Sequence, residues 1–166
     1  VVYNINLRVA YLSYYYFGGV QTGETILIHA AAGGIGSLLV QIAKRRGGNR
    51  VIALASSEDK LAYCRALGAV HCINTRTTDY VAEALKITSG QGVDVCFNSV
   101  AGRTLETDPA AIRVLGRWMI ELDLSPAVFM LASTLPGDCS PASHSSHAEM
   151  SLPRSGAGAS NAMRPG

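Results

Sequence analysis

Ile26-Leu27-Ile28-His29-Ala30-Ala31-Ala32-Gly33-Gly34-Ile35-Gly36 is the stretch that decides the fold. An apolar run suited to a strand breaks into small residues. Helical spacing begins at once, with Ile35, Leu38, Leu39, Ile42 and Ala43 at i, i+3, i+4, i+7 and i+8. Strand, tight glycine turn and helix, in that order, make a cradle for a dinucleotide pyrophosphate. Backbone N–H groups and the positive end of the helix face the phosphates, and no side chain stands between them. The usual spacing is G-x-G-x-x-G, and here Ala31, Gly33 and Gly36 fill its three places. Alanine fits the first place if its backbone angles stay ordinary. Gly33 lets the backbone approach the pyrophosphate, and Gly36 lets the helix pack close to the strand. A glycine-rich turn in an α/β domain that binds no nucleotide has the same spacing, so the neighbouring residues must weigh in.

The next apolar run, Val51 to Ala55, reads as the following strand. An Asp or Glu that grips the ribose 2′-hydroxyl of NAD falls at the end of such a strand, about 20 residues past the glycines. This chain has Ala55, Ser56 and Ser57 there, then Lys60 one turn into the next helix. No carboxylate repels a 2′-phosphate, and hydroxyls with an ammonium favour one. The sequence therefore points to NADP(H) over NAD(H). Ser56 also reads as an N-cap paired with Asp59, and the two roles are compatible. Lys60 also reads as an ordinary solvated helix residue.

The alternation continues outward. A strand at 25–30 leads to a helix near 34–46, and a strand at 50–55 to a helix near 57–67 closed by Gly68. A strand at 70–73 precedes a helix near 78–88. A strand at 93–97 precedes Asn98-Ser99 and another helical stretch, with a last strand at 117–122. This predicts an α/β fold, an incomplete Rossmann-type doubly wound parallel sheet with helices on both faces. Right-handed crossovers then bring the glycine turn, Ser56 and Asn98 to one edge. Before it, Ile5, Val9, Leu12 and Tyr16 space out the apolar face of a leading helix that ends at Gly18-Gly19. The run Tyr14-Tyr15-Tyr16 reads as packing against a sheet or a partner domain more readily than as a stacking surface. The expected organisation is a leading helix in 1–22, an NADP(H)-binding domain in 23–122 and a low-complexity, disordered tail in 123–166. The tail holds five of the six prolines and shows one short apolar piece, Val128 to Leu131; such a segment buries too little to offset its ordering entropy.

Composition excludes several classes. The 166 residues suffice for one domain with a core. A net charge of +2, with no basic stripe among aromatics, argues against nucleic acid. Arg45, Arg46 and Arg50 are the densest basic group, near a helix C-terminus where cations suit the dipole. Cys64, Cys72, Cys96 and Cys139 stand singly, without zinc spacing. They read as free thiols, the first three buried, in a reducing, cytoplasmic compartment. His144 and His147 have no companion ligands, so no metal is expected. Apolar runs are too short to span a membrane.

Residues 23 to about 120 resemble the nucleotide-binding half of medium-chain dehydrogenases/reductases of the zinc-free quinone oxidoreductase type. The resemblance rests on Gly23-Glu24-Thr25, His29 to Gly36, Gln41-Ile42-Ala43-Lys44, Lys60, Leu67-Gly68-Ala69, Gly92-Val93-Asp94-Val95 and Asn98-Ser99-Val100-Ala101-Gly102. The last group is most similar to the enoyl reductase domains of polyketide synthases, and Arg76 matches an arginine found there. The resemblance implies NADPH. It places Gly33, Gly34 and Ile35 at the pyrophosphate, Ser56, Lys60 and Arg76 at the 2′-phosphate, and Asn98, Ser99 and Val100 beside the nicotinamide side. It implies hydride transfer to the β-carbon of an activated double bond, or to a quinone.

Three readings follow. The first is the NADPH-binding part of an enoyl thioester reductase. The second is a quinone or enone oxidoreductase acting on free small molecules. The third is a truncated, inactive nucleotide-binding fragment, because the catalytic domain of the family is not in this sequence and the similarity stops after Glu121. The enoyl thioester or quinone substrate enters only if a catalytic domain completes the site. Enoyl reductases carry a Lys and an Asp suggested as proton donors in this half; Glu106 and Asp123 stand at the matching places, so catalytic residues stay unassigned. Asp108-Pro109 either interrupts the helix there or restarts it, with Asp108 as cap and Pro109 at the first position. Apolar surface left by a missing domain predicts a homodimer or self-association.

Overall fold

A computed structural model describes residues 5–120. The predicted tail, with Asp123, Cys139, His144 and His147, lies outside them. Five parallel strands form one sheet in the order β3-β2-β1-β4-β5. They are β1 (Thr25–Ile28), β2 (Arg50–Ala55), β3 (His71–Asn74), β4 (Val93–Asn98) and β5 (Ile112–Ile120). Five helices accompany them: α1 (Ile5–Leu12), α2 (Gly34–Arg46), α3 (Glu58–Leu67), α4 (Tyr80–Ile87) and α5 (Thr104–Ala111). The chain reverses its direction of winding at β1, whose neighbours are β2 and β4. This is the doubly wound sheet that the strand–helix alternation implied.

Side-chain alternation builds the two cores. Ile26, Ile28, Val51 and Ala53 point into one cluster with Tyr14, Leu39 and Val40. Leu27, Ile52 and Leu54 point the other way, against Ala84 and Ala111. The central strand β1 is buried at every position. No helix among the described residues is long and apolar enough to cross a membrane.

Three local expectations need correction. The leading helix buries Val9 and Leu12 of the expected face, but Ile5 and Tyr16 are exposed and Tyr14 is buried. After Leu12 the backbone widens into a π-helical segment, Ser13–Phe17, and the extra residue per turn rotates the buried face. Tyr14 is drawn inward, where its hydroxyl donates to Asn49 Oδ1 at 3.0 Å, and burial pushes its pKa up to about 12. Second, the last strand starts at Ile112, five residues ahead of the predicted start. Val93 pairs with Ile112 but Val95 pairs with Arg117, so the intervening residues form a bulge that exposes Val114 and Leu115. Charge holds the bulge: Asp94 bonds Arg113 and accepts from the Thr25 amide, while Glu24 pairs with Arg117. Third, α5 neither starts at Asp108 nor breaks there. It begins at Thr104, Pro109 sits inside its last turn, and Asp108 is fully buried.

Candidate functional site

The site is built at the carboxyl ends of the strands. β1 ends at Ile28, and the next residues turn sharply into α2. The positive backbone angle falls on Ala30 (φ +46°), not on Ala31. Ala31 is fully buried and its amide donates to the Leu54 carbonyl at 3.0 Å, which ties the turn to β2. Gly33 is the N-cap of α2 and has no side chain with which to cap it. The first-turn amides of Gly34, Ile35 and Gly36 have no acceptors within the helix, and the positive end of the dipole lies at the turn. A Cβ on Gly36 would lie 2.5 Å from the Ala30 carbonyl oxygen and 2.8 Å from Ala31 Cα. Only glycine permits this approach of helix to turn, as the fingerprint anticipates.

Two adjoining depressions occupy this edge. The larger, about 490 Å³, is lined by Gly33, Ser56, Lys60, Thr75, Tyr80 and Val100 among others. The smaller, about 240 Å³, is bordered by Asn6, Gly33, Gly34, Ile35, Gly36 and Ser99. The larger has the size of a small-molecule site. Eight of the residues singled out by sequence thus meet along these walls: Gly33, Gly34, Ile35, Gly36, Ser56, Lys60, Ser99 and Val100. Four do not line them. Ala31 is buried, and Ser57 is the N-cap of α3. Arg76 is exposed on the loop after β3, its amide bonded to Asn74 Oδ1. Asn98 is fully buried and all of its side-chain polar atoms have protein partners.

The predicted Ser56–Asp59 capping box does not form. The cap position falls one residue later, on Ser57, and no side chain caps the helix. This shift leaves Ser56 on the cavity wall with Lys60. Among the described residues, no carboxylate lines that part of the cavity.

Sequence reasoning missed the groups beneath the cleft. Asp108 is a buried acceptor for His29 Nε2 (2.9 Å), Tyr80 Oη (2.7 Å), Asn98 Nδ2 (2.6 Å) and Trp118 Nε1 (3.1 Å). Tyr80 also bonds Thr107, and its ring meets His29 edge-on. His29 stood in the decisive stretch itself, next to the turn, but nothing in the spacing pairs it with a residue 79 positions away. Burial pushes the Asp108 carboxyl up, but the hydrogen bonds from His29 and Tyr80 outweigh it and hold it below its ordinary value. Burial raises the Tyr80 hydroxyl and the Cys96 thiol, so both stay neutral. His29, Cys96 and Asp108 bring three potential metal-ligand atoms within 4.8 Å of one another. Each of those atoms is engaged in this hydrogen-bond network.

A pH dependence follows. Asp94 and Asp108 both have depressed folded-state values. Such groups add stability above their unfolded value of about 3.9, and lose it as pH falls through the folded value. The urea midpoint is expected to hold from pH 7 to about 5 and fall steeply below about 4, with a shallower fall in Asp94→Asn. An unchanged acid limb in that variant would discard Asp94 as a contributor.

A glycine turn, a helix that starts on a glycine N-cap and a cleft at the switch point of a parallel sheet define a Rossmann-type domain. The family model described as zinc-binding dehydrogenase matches residues 34–120. The chain belongs to the medium-chain dehydrogenase/reductase superfamily, in its zinc-free quinone oxidoreductase and enoyl reductase branch. It is 37% identical over 116 residues to a hybrid PKS-NRPS synthetase of Aspergillus niger, covering 68% of this chain and 3% of that protein. It is 38% identical over 107 residues to prostaglandin reductase 1 of Rattus norvegicus, covering 61% of this chain and 32% of that one. The solved CurK enoyl reductase superposes with a TM-score of 0.65 at 37% identity, covering 70% of this chain and 34% of that chain. The chain thus spans about a third or less of the length of these three relatives.

Proposed function

We propose that this chain is the NADP(H)-binding part of a reductase that adds hydride to an activated carbon–carbon double bond, with an enoyl thioester as substrate. The carrying observation is one cavity wall that unites Gly33 with Ser56 and Lys60 and, among the described residues, includes no carboxylate. Gly33, Gly34, Ile35 and Gly36 would hold the pyrophosphate through bare backbone and the positive end of α2. Ser56 and Lys60, with Arg76 swinging in from its exposed loop, would meet the 2′-phosphate. Ser99 and Val100 would border the nicotinamide side. The bound cofactor supplies the hydride; the residues of this domain bind it, orient it and exclude water.

The likeness to a polyketide-type synthetase and to the CurK enoyl reductase supports the enoyl thioester. The likeness to prostaglandin reductase 1, a reductase by name, supports a second reading, reduction of a free enone or quinone. The cytosol is the proposed compartment, supported by the free thiols of Cys64, Cys72 and Cys96.

Calorimetric titration of the full chain with NADPH and NADH tests the cofactor. Lys60→Ala and Arg76→Ala are each expected to weaken NADPH by about 1–3 kcal/mol, the range for charge-assisted hydrogen bonds, and to leave NADH nearly unchanged. Equal losses for both cofactors would remove these side chains from the 2′-phosphate. Absence of binding by the parent chain would reject the functional reading.

A further inference from the structure

The loop that follows β4 forms a wall of both depressions, through Val100 and Thr104 in the larger and Ser99 in the smaller. Its backbone is unusual. Ala101 has φ +59° and Gly102 φ +63°, and the left-handed region disfavours alanine, so something must hold Ala101 there. Asn98 does so. Its Oδ1 accepts from the amides of Val100 (2.8 Å) and Ala101 (3.0 Å), and its Nδ2 donates to Thr104 Oγ1 (2.7 Å).

Asn98 keeps that orientation because its amide nitrogen also donates to Asp108 Oδ2 at 2.6 Å. Reversing the amide would set its oxygen against a carboxylate. The same carboxylate collects His29 from the end of β1 and Tyr80 from the start of α4, both of which line the larger depression. Trp118 of β5 supplies a further donor from below. One buried charge therefore fixes three separate pieces of the cleft wall.

We propose that Asp108 is a positioning residue for the cofactor cleft: through Asn98 it sets the conformation of residues 98–104, and through His29 and Tyr80 the facing wall. The claim that a cofactor fills the cleft rests on the functional reading above. The bracing of the loop does not.

Amide hydrogen exchange on the full, ligand-free chain tests the bracing. In Asp108→Asn, Val100 and Ala101 are expected to exchange about tenfold faster, the effect of losing a hydrogen-bond partner to a charged group, while Leu27 and Ile52 in the sheet change much less. Trp118→Phe removes one donor, keeps a ring on β5 and gives a smaller loosening of the same two amides; it serves if the first variant does not fold. Val51→Ala, on the opposite face of the sheet, supplies a destabilised control that loosens all amides alike. NADPH affinity, measured where every variant is folded, is expected to drop about fivefold in Asp108→Asn and to hold in the control. Wild-type exchange at Val100 and Ala101 in both network variants, or a uniform loosening, would overturn the proposal. If the parent binds no NADPH, the functional reading fails while the exchange result still decides the bracing. If the loop loosens and affinity does not change, the positioning role in binding is overturned.

Discussion

Asp108→Ala is expected to lower the unfolding free energy by about 3–5 kcal/mol, the scale of losing two or more buried hydrogen bonds to a charged group at about 1.5–3 kcal/mol each. The carboxylate is fully buried and accepts from His29, Tyr80, Asn98 and Trp118. Deleting it removes the acceptor of these donors and of the Cys96 thiol, and His29 Nε2 and Trp118 Nε1 lose the partner described for them; a buried polar group left unmet costs about 1–3 kcal/mol. The exposed Lys86–Glu83 pair is a useful contrast; its removal should cost under about 1 kcal/mol. Urea denaturation followed by circular dichroism reads both. A loss below about 1 kcal/mol in Asp108→Ala would mean that water enters and takes over the donors.

Gly36→Val is expected to weaken NADPH binding by about 100-fold, the scale of loss for a misplacement near 1 Å. The new Cβ meets the Ala30 carbonyl oxygen and Ala31 Cα, which are backbone atoms that cannot rotate away. Helix α2 must move off the turn, and its first-turn amides move with it. Overpacking should also cost about 1–3 kcal/mol of stability. Gly34→Ala is the milder comparison, since its Cβ meets the Asn6 side chain, whose amide can shift. Calorimetry with NADPH measures the affinity, and thermal melting the stability. Equal, small effects from both substitutions would show that α2 tolerates displacement and would weaken the claim that its N-terminus holds the phosphates.

Much of the architecture was legible because it depends on short-range patterns. The i, i+3, i+4 spacing from Ile35 gave α2, Gly68 closed α3, and apolar runs gave β1, β2 and β4. The glycine turn and the meeting of Ser56 and Lys60 on one cavity wall were legible for the same reason, since each lies a few residues past the end of its strand. What escaped depends on long-range partners or on irregular backbone. The widened turn at Ser13–Phe17 rotates Tyr14 inward, and local periodicity presumes a constant 3.6 residues per turn. The bulge in β5 is imposed by Asp94 and Glu24, which bond Arg113 and Arg117 from distant elements. Asp108 beside Pro109 reads locally as a helix start. Its true environment is assembled from residues as far off as His29, and burial converts a capping carboxylate into an acceptor for the core.

The pairing of β1 has a consequence for biosynthesis. Its partner β2 follows closely, with Thr25 opposite Arg50. Its other edge waits for β4, where Ile26 faces Val95. As the nascent chain leaves the ribosome, this strand, buried at every position in the folded sheet, stays half-paired until those later residues emerge. Non-local pairing of this kind is slow and leaves strand edges open to other chains. Translation pauses or chaperone capture before residue 93 would therefore act on the strand that leads into the glycine turn.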